Sequence, residues 1–343
     1  MVLELLKRLS DAHGVSGYEQ NIVEMIKGEI APYVDELSTD SMGNLIAVKR
    51  GGDFKVMLAA HMDEIGCMVQ YIDDKGFIRF ITLGGWFMPA LYAQRVILHG
   101  KKGQIIGVLG GKPPHMMKDE DRKKELKQEE LFIDIGASSA EDVANLGIEI
   151  GTPITIDREL KELAGGRLTG KAFDNRVGCA MLIETLKKLD SPHTIYAVFT
   201  VQEEVGLKGA KTSAYAINPD CAIATDVTIP GDHPGIDKKD ASIEMGKGPV
   251  IIIVSASGRG LISDPKMVAW LRSTAEDAGI PHQIEVGTGG NTDATIIHLE
   301  QGGIPSIPLS IPARYIHSPV EVVDLNDIKE GIRLLCEALK TRP

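Results

Sequence analysis

The sequence predicts an α/β sandwich around a largely parallel sheet, interrupted by a β-rich insertion. Three observations carry this reading. Beyond Arg167 the chain alternates strand, loop and helix. The opening segment supplies a helix and strands of the same texture, and between the two lie short β-type runs separated by Gly-rich turns. Such alternation argues for a helix-covered sheet, and the intervening texture for a barrel or sandwich.

The elements follow in order. Ser16 with Glu19 reads as a capping box opening a helix over 18–30, where Ile22, Val23 and Ile26 fall at helical spacing. The runs 44–48 and 56–60, separated by Gly51, Gly52 and Asp53, read as adjacent strands, with His61 at the end of the second. From about 65 to 156 come short runs at 77–83, 96–99, 104–109 and 131–135. The mixed-charge stretch 116–130, free of Gly and Pro, reads as a mobile loop in preference to a solvated helix. Then follow a helix at 177–189, strands at 194–201, 221–225 and 250–254, a helix at 265–278 and a strand near 307–310. The division expected is a discontinuous catalytic unit, 1–65 with 163–343, and an insertion over 66–162.

Composition bounds the function. The 343 residues, 43% of them hydrophobic, suffice for one large domain and a smaller one. No run of about 18 apolar residues occurs, and Glu4, Lys7, Arg8 and Asp11 interrupt the opening segment, so neither a membrane span nor a secretory signal fits. A soluble, cytoplasmic protein is expected. The formal charge of -11, with 37 basic and 48 acidic side chains and no basic cluster, argues against nucleic acid. Cys67, Cys179, Cys221 and Cys336 lie far apart among apolar neighbours, so neither disulfides nor a thiolate zinc site is expected.

The chemistry gathers at strand ends, where ligands bind in open α/β sheets. An extended backbone puts His61 and Asp63 on one face, so that Asp63 can orient a metal-bound imidazole. Asp174 directly precedes a helix; an ordinary N-cap is the bland explanation, but one carboxylate can also bridge two cations about 3.5 Å apart. Glu203 and Glu204 sit at a strand tip, where side chains diverge and one Glu can bind metal while its neighbour handles a proton. Asp226 ends a strand, and His317 follows one. Two His with Asp and Glu make a ligand set suited to zinc, cobalt or manganese. Residues 287–293 resemble a glycine-rich anion loop without its Lys and are expected to line a substrate pocket. His13, His115, His233 and His298 have no partner pattern and read as structural or exposed.

The motifs His61-Met-Asp63-Glu, Ala172-Phe-Asp174-Asn-Arg, Gln202-Glu203-Glu204-Val-Gly, Thr225-Asp226 and Arg314-Tyr-Ile-His317-Ser, in this order and context, resemble the tetrahedral, dodecameric metalloaminopeptidases. These are also called glutamyl or deblocking aminopeptidases, and some members have been labelled cellulases. The resemblance covers essentially the whole chain. It implies a three-layer α/β/α catalytic domain of the co-catalytic zinc exopeptidase type, with the insertion as a barrel-like dimerisation domain. It implies that Asp174 bridges two divalent ions, zinc or cobalt, one completed by His61 and Asp226 and the other by Glu204 and His317. Glu203 would be the general base, Asp63 would orient His61, and the Asp174–Asn175 peptide would be cis. Short peptides would be the substrates, and dimers would assemble into a hollow tetrahedral dodecamer. The metal set alone leaves open a carboxypeptidase or N-deacylase on the same fold, or a non-catalytic assembly protein, against which the intact Glu203 argues.

Overall fold

The computed structural model describes residues 1–118, 120 and 124–343. Helices α1 (Val2–Asp11) and α2 (Gln20–Ile30) lead into strands β1 (Glu36–Thr39), β2 (Leu45–Lys49) and β3 (Gly52–His61). Next come β4 (Gly66–Ile72), β5 (Ile78–Leu83), the short helix α3 (Met88–Leu91), β6 (Arg95–Gly100), β7 (Gly103–Gly111), β8 (Leu131–Asp134), α4 (Ala140–Asn145) and β9 (Pro153–Ile156). The chain returns through β10 (Lys161–Glu162), β11 (Arg167–Gly170) and helix α5 (Phe173–Lys188) to β12 (His193–Thr200), α6 (Lys208–Ile217) and β13 (Cys221–Thr228). It ends with β14 (Val250–Ser255), β15 (Leu261–Ile262), α7 (Pro265–Asp277), β16 (Gln283–Val286), α8 (Ala294–Ile297), β17 (Ser306–Arg314), β18 (Glu321–Asp324) and α9 (Leu325–Ala338).

Two sheets result. The larger runs β1-β2-β12-β3-β13-β17-β18-β11-β10, with β14 to β16 attached beside β17. Its centre, β12-β3-β13-β17, is parallel, and its flanks are antiparallel. Along β3 the side chains alternate between two cores: Val56, Leu58 and Ala60 pack under α1, α2, α5, α7 and α9, while Met57 and Ala59 pack toward α6 and α8. That alternation makes three layers, and it explains why β3 reads as an unbroken apolar run. The second sheet is a closed six-stranded barrel, β4-β5-β8-β7-β6-β9, around Phe80, Leu98, Ile133 and Ile154. The β-rich texture therefore resolves to a barrel, and its strands all lie between β3 and β10 in the chain.

Three readings change. The helix α2 exists, but Ser16 and Glu19 do not form its capping box: its N-cap makes no side-chain hydrogen bond. Both side chains are buried and committed elsewhere, as described below. Asp226 lies within β13, which continues to Thr228. Asp174 is not an ordinary N-cap either, because α5 starts at Phe173 and takes non-helical angles at Asp174 and Asn175. The 116–130 stretch includes positions outside the described residues; its tail, Gln128–Glu130, forms one turn of 3-10 helix.

Candidate metal centre

Every residue singled out from the motifs arrives at one place, at the carboxyl ends of the parallel strands. The end of β3 delivers His61 and, two residues on, Asp63. The loop after β12 delivers Glu203 and Glu204, β13 delivers Asp226, and the turn after β17 delivers His317. Asp174 comes from the kinked start of α5, which hydrogen bonds lock to the sheet. Asn175 Nδ2 donates to the Thr225 carbonyl (2.8 Å), Arg176 Nε to Met62 (2.9 Å), and Cys179 Sγ to His61 (3.2 Å). The Asp174–Asn175 peptide is cis.

The two oxygens of Asp174 face two different groups. Oδ1 lies 3.1 Å from His61 Nε2, which is 3.9 Å from Asp226 Oδ1. Oδ2 lies 3.4 Å from His317 Nε2, which is 3.2 Å from Glu204 Oε1. Two ligand atoms on one tetrahedral zinc, with bonds near 2.1 Å, stand about 3.4 Å apart. The observed separations match that span. Among the described residues three groupings keep their ligand atoms within 4.8 Å: His61–Asp174–Asp226, Asp174–Glu204–His317 and His61–Glu203–Glu204. The third takes His61 from the first and Glu204 from the second and adds Glu203, whose Oε2 stands 3.9 Å from His61 Nε2.

Electrostatics point the same way. Burial raises the Glu203 carboxyl well above the usual carboxylate range, and repulsion from Asp226, Asp293 and Glu204 adds to it. Asp226 is raised in the same way, by burial and by Asp174. Burial opposes charging of His61, but Glu203, Asp174 and Asp63 outweigh it and hold the imidazole well above its ordinary value. His317 is pushed up to about 11 by Asp174 and Glu204, against its burial. This is a buried excess of negative charge, of the kind that a cation offsets. Glu204 Oε1 is buried with no well-aligned hydrogen bond, its one close polar neighbour being His317 Nε2 at 3.2 Å, and it therefore has room to meet a cation. The donor set fits hard or borderline divalent ions.

Supporting groups extend beyond those the motifs suggested. Asp63 accepts from Ser16 Oγ (2.6 Å), Glu203 N (3.0 Å) and Glu204 N (3.2 Å) and stands 3.5 Å from His61 Nδ1, which is closer (3.1 Å) to the Asp63 carbonyl oxygen. Glu19 accepts from Gln202 N (3.1 Å), and burial followed by repulsion from Asp63 raises its carboxyl to about 7. Glu321, missed from sequence, accepts from the backbone of both Asp174 (3.1 Å) and His317 (3.0 Å). Its only signal is a spacing of four from His317 across a tight turn. Within 287–293, Asp293 is buried and accepts from Thr200 (2.5 Å). His13 stacks on His99 (3.8 Å), and His233 tilts against Tyr315.

The profile described as M42 glutamyl aminopeptidase matches residues 43–334. A putative aminopeptidase of Acetivibrio thermocellus is 43% identical over 98% of both chains. An aminopeptidase structure from the archaeon Desulfurococcus kamchatkensis superposes with a TM-score of 0.95 at 44% identity, covering 99% of this chain and 95% of that one. A Pyrococcus horikoshii TET1 peptidase, described as able to assemble into a tetrahedron or a large octahedral shell, superposes at 0.90 with 35% identity and complete coverage of both chains.

Proposed function

Since the chain belongs to the M42 glutamyl aminopeptidase family and is a metal-dependent aminopeptidase, we propose that it works with two divalent cations, zinc or cobalt, joined through Asp174. One is held by His61 and Asp226, the other by Glu204 and His317. The observation that carries this reading is the division of the Asp174 carboxylate, one oxygen toward each group. Asp63 orients His61 and, through two backbone amides, sets the direction in which Glu203 and Glu204 leave the strand.

When bound, such cations polarise a peptide carbonyl and lower the pKa of water from about 15.7 toward 7. The protein's own part is proton traffic and placement. A Glu203 carboxylate oxygen takes the proton of the attacking water and returns it to the leaving amine nitrogen. Burial first, and then crowding by Asp226, Asp293 and Glu204, favours the protonated carboxyl, so the carboxylate is a good proton acceptor for the water's proton. Short peptides with a free amino terminus are the substrates. The barrel serves as a dimerisation module, and the dimers assemble into a tetrahedral dodecamer. The buried free thiols of Cys67, Cys179 and Cys221 accord with a reducing cytoplasm.

Release of the first residue from aminoacyl p-nitroanilides tests the proposal on chelated protein, before and after zinc or cobalt is returned. Activity should vanish on chelation and return with metal. Glu203→Gln should keep two ions per subunit and lose about 100- to 10,000-fold in kcat. Near-native turnover by the Gln variant would remove Glu203 from the role of base.

A further inference from the structure

We propose that the inserted barrel is part of one cation site. The segment from Gly84 to Trp86, leaving β5, is the wall that holds the His317 imidazole against Asp174 and Glu204. Occupancy of that site, and not of the site of His61 and Asp226, therefore depends on the barrel. The inference rests on the two-cation reading above and adds a residue that positions one of the ligands.

Three contacts carry it. Gly84 takes φ +82°, and a Cβ there would lie 2.5 Å from Ile65 Cγ2 and 3.3 Å from Glu204 Oε2. A Cβ on Gly85 would lie 3.1 Å from His317 Nδ1 and 3.5 Å from Cε1. The barrel loop thus runs as bare backbone against the two side chains that complete the second site. Trp86 then pins it, donating from Nε1 to the Gly66 carbonyl at the start of β4 (3.0 Å).

His317 needs such a wall. It sits in a turn at φ +60°, and its side chain is 36% exposed, against 11% or less for His61, Asp174, Glu203, Glu204 and Asp226. Glu321 fixes its backbone but not its ring. The nitrogen turned away from the carboxylates is the one that faces Gly85. His61, by contrast, is buried at the end of a central strand, with Asp63 at its Nδ1 and Cys179 at its carbonyl. Its ring is placed by the sheet unit.

Gly85→Ala sets a methyl 3.1 Å from Nδ1, tight enough to push the ring by a few tenths of an ångström; the imidazole, 36% exposed, yields toward solvent, so the fold survives while Nε2 moves off its partners. Zinc titration of chelated protein by calorimetry, with metal content after dialysis, reads this out. Wild type should take two ions per subunit. Gly85→Ala should keep one at native affinity and bind the other about 10- to 100-fold more weakly, the range for displaced support of a metal ligand. Adding it to His317→Ala should produce no further loss. Trp86→Phe, which frees the loop without adding bulk, should weaken the same ion, and it stands as the test should Gly85→Ala not fold. Native affinity for both ions in these variants, or equal weakening of both, would overturn the inference. Fewer than two ions on wild type would instead overturn the two-cation reading beneath it.

Discussion

Asp63 is the residue on which the centre turns, because one buried carboxylate there serves an imidazole, a hydroxyl and two backbone amides at once. Removing one of these donors should be felt but survived. Ser16→Ala leaves Asp63 with its amide partners and should cost about 1.5–3 kcal/mol, the scale of a hydrogen bond to a charged group. Urea denaturation of the chelated protein measures it; an unchanged midpoint would show that Ser16 does not support the carboxylate. The residues gathered at the centre were legible as a set, through the order and context of the family motifs, since a His at a strand end, an Asp before a helix and a Glu pair each have ordinary structural explanations when taken singly. Ser16, Glu19 and Glu321 were not. Ser16 and Glu19 match a helix-start pattern, and the local signal is indistinguishable from one that serves a tertiary contact nearly 50 residues away in the case of Ser16. A lone Glu321 after a turn carries no periodicity.

At the scale of elements, the turn bearing His317 is braced at its base. Arg314, at the end of β17, donates from both Nε (3.0 Å) and Nη2 (2.7 Å) to the two oxygens of Asp232. Burial works to raise the Asp232 carboxyl, but Arg314 and the Met245 amide outweigh it and hold it below the usual aspartate range. A depressed acid stabilises the fold above its unfolded pKa and loses that contribution as pH falls through the folded one. Asp232→Asn should therefore cost about 1–2 kcal/mol near pH 7, and the gap from wild type should close as pH drops below about 4. A gap independent of pH would mean that the pair contributes by shape alone. The elements that were legible are those with one dominant pattern, such as β3 and α7. The order of strands was not, because the registers β12↔β3 and β13↔β17 join segments distant in the chain.

For the whole molecule, the buried excess of carboxylates makes cation binding part of stability. A ligand held only by the folded state adds RT ln(1 + [L]/Kd), about 2.7 kcal/mol per site at a hundred times Kd. Chelation should lower the melting temperature by several degrees, and restored zinc should recover it. An unchanged melting temperature, with metal content confirmed as zero, would show that protonation of Glu203 and Asp226 relieves the crowding unaided. A larger unit and a β-rich one were read from the change of texture, and the structure gives the main sheet a core on either face and the barrel its own. The meeting of the barrel loop with His317 was not legible, since it depends on how two separately cored bodies come to rest.

The late place of β17 in the chain has a consequence in time. His61 leaves the ribosome some 250 residues before His317; at roughly 5–20 residues per second that is on the order of ten to fifty seconds. Throughout that interval the growing chain lacks His317, so the cluster of carboxylates and imidazoles that the folded protein completes with it stays open on that side.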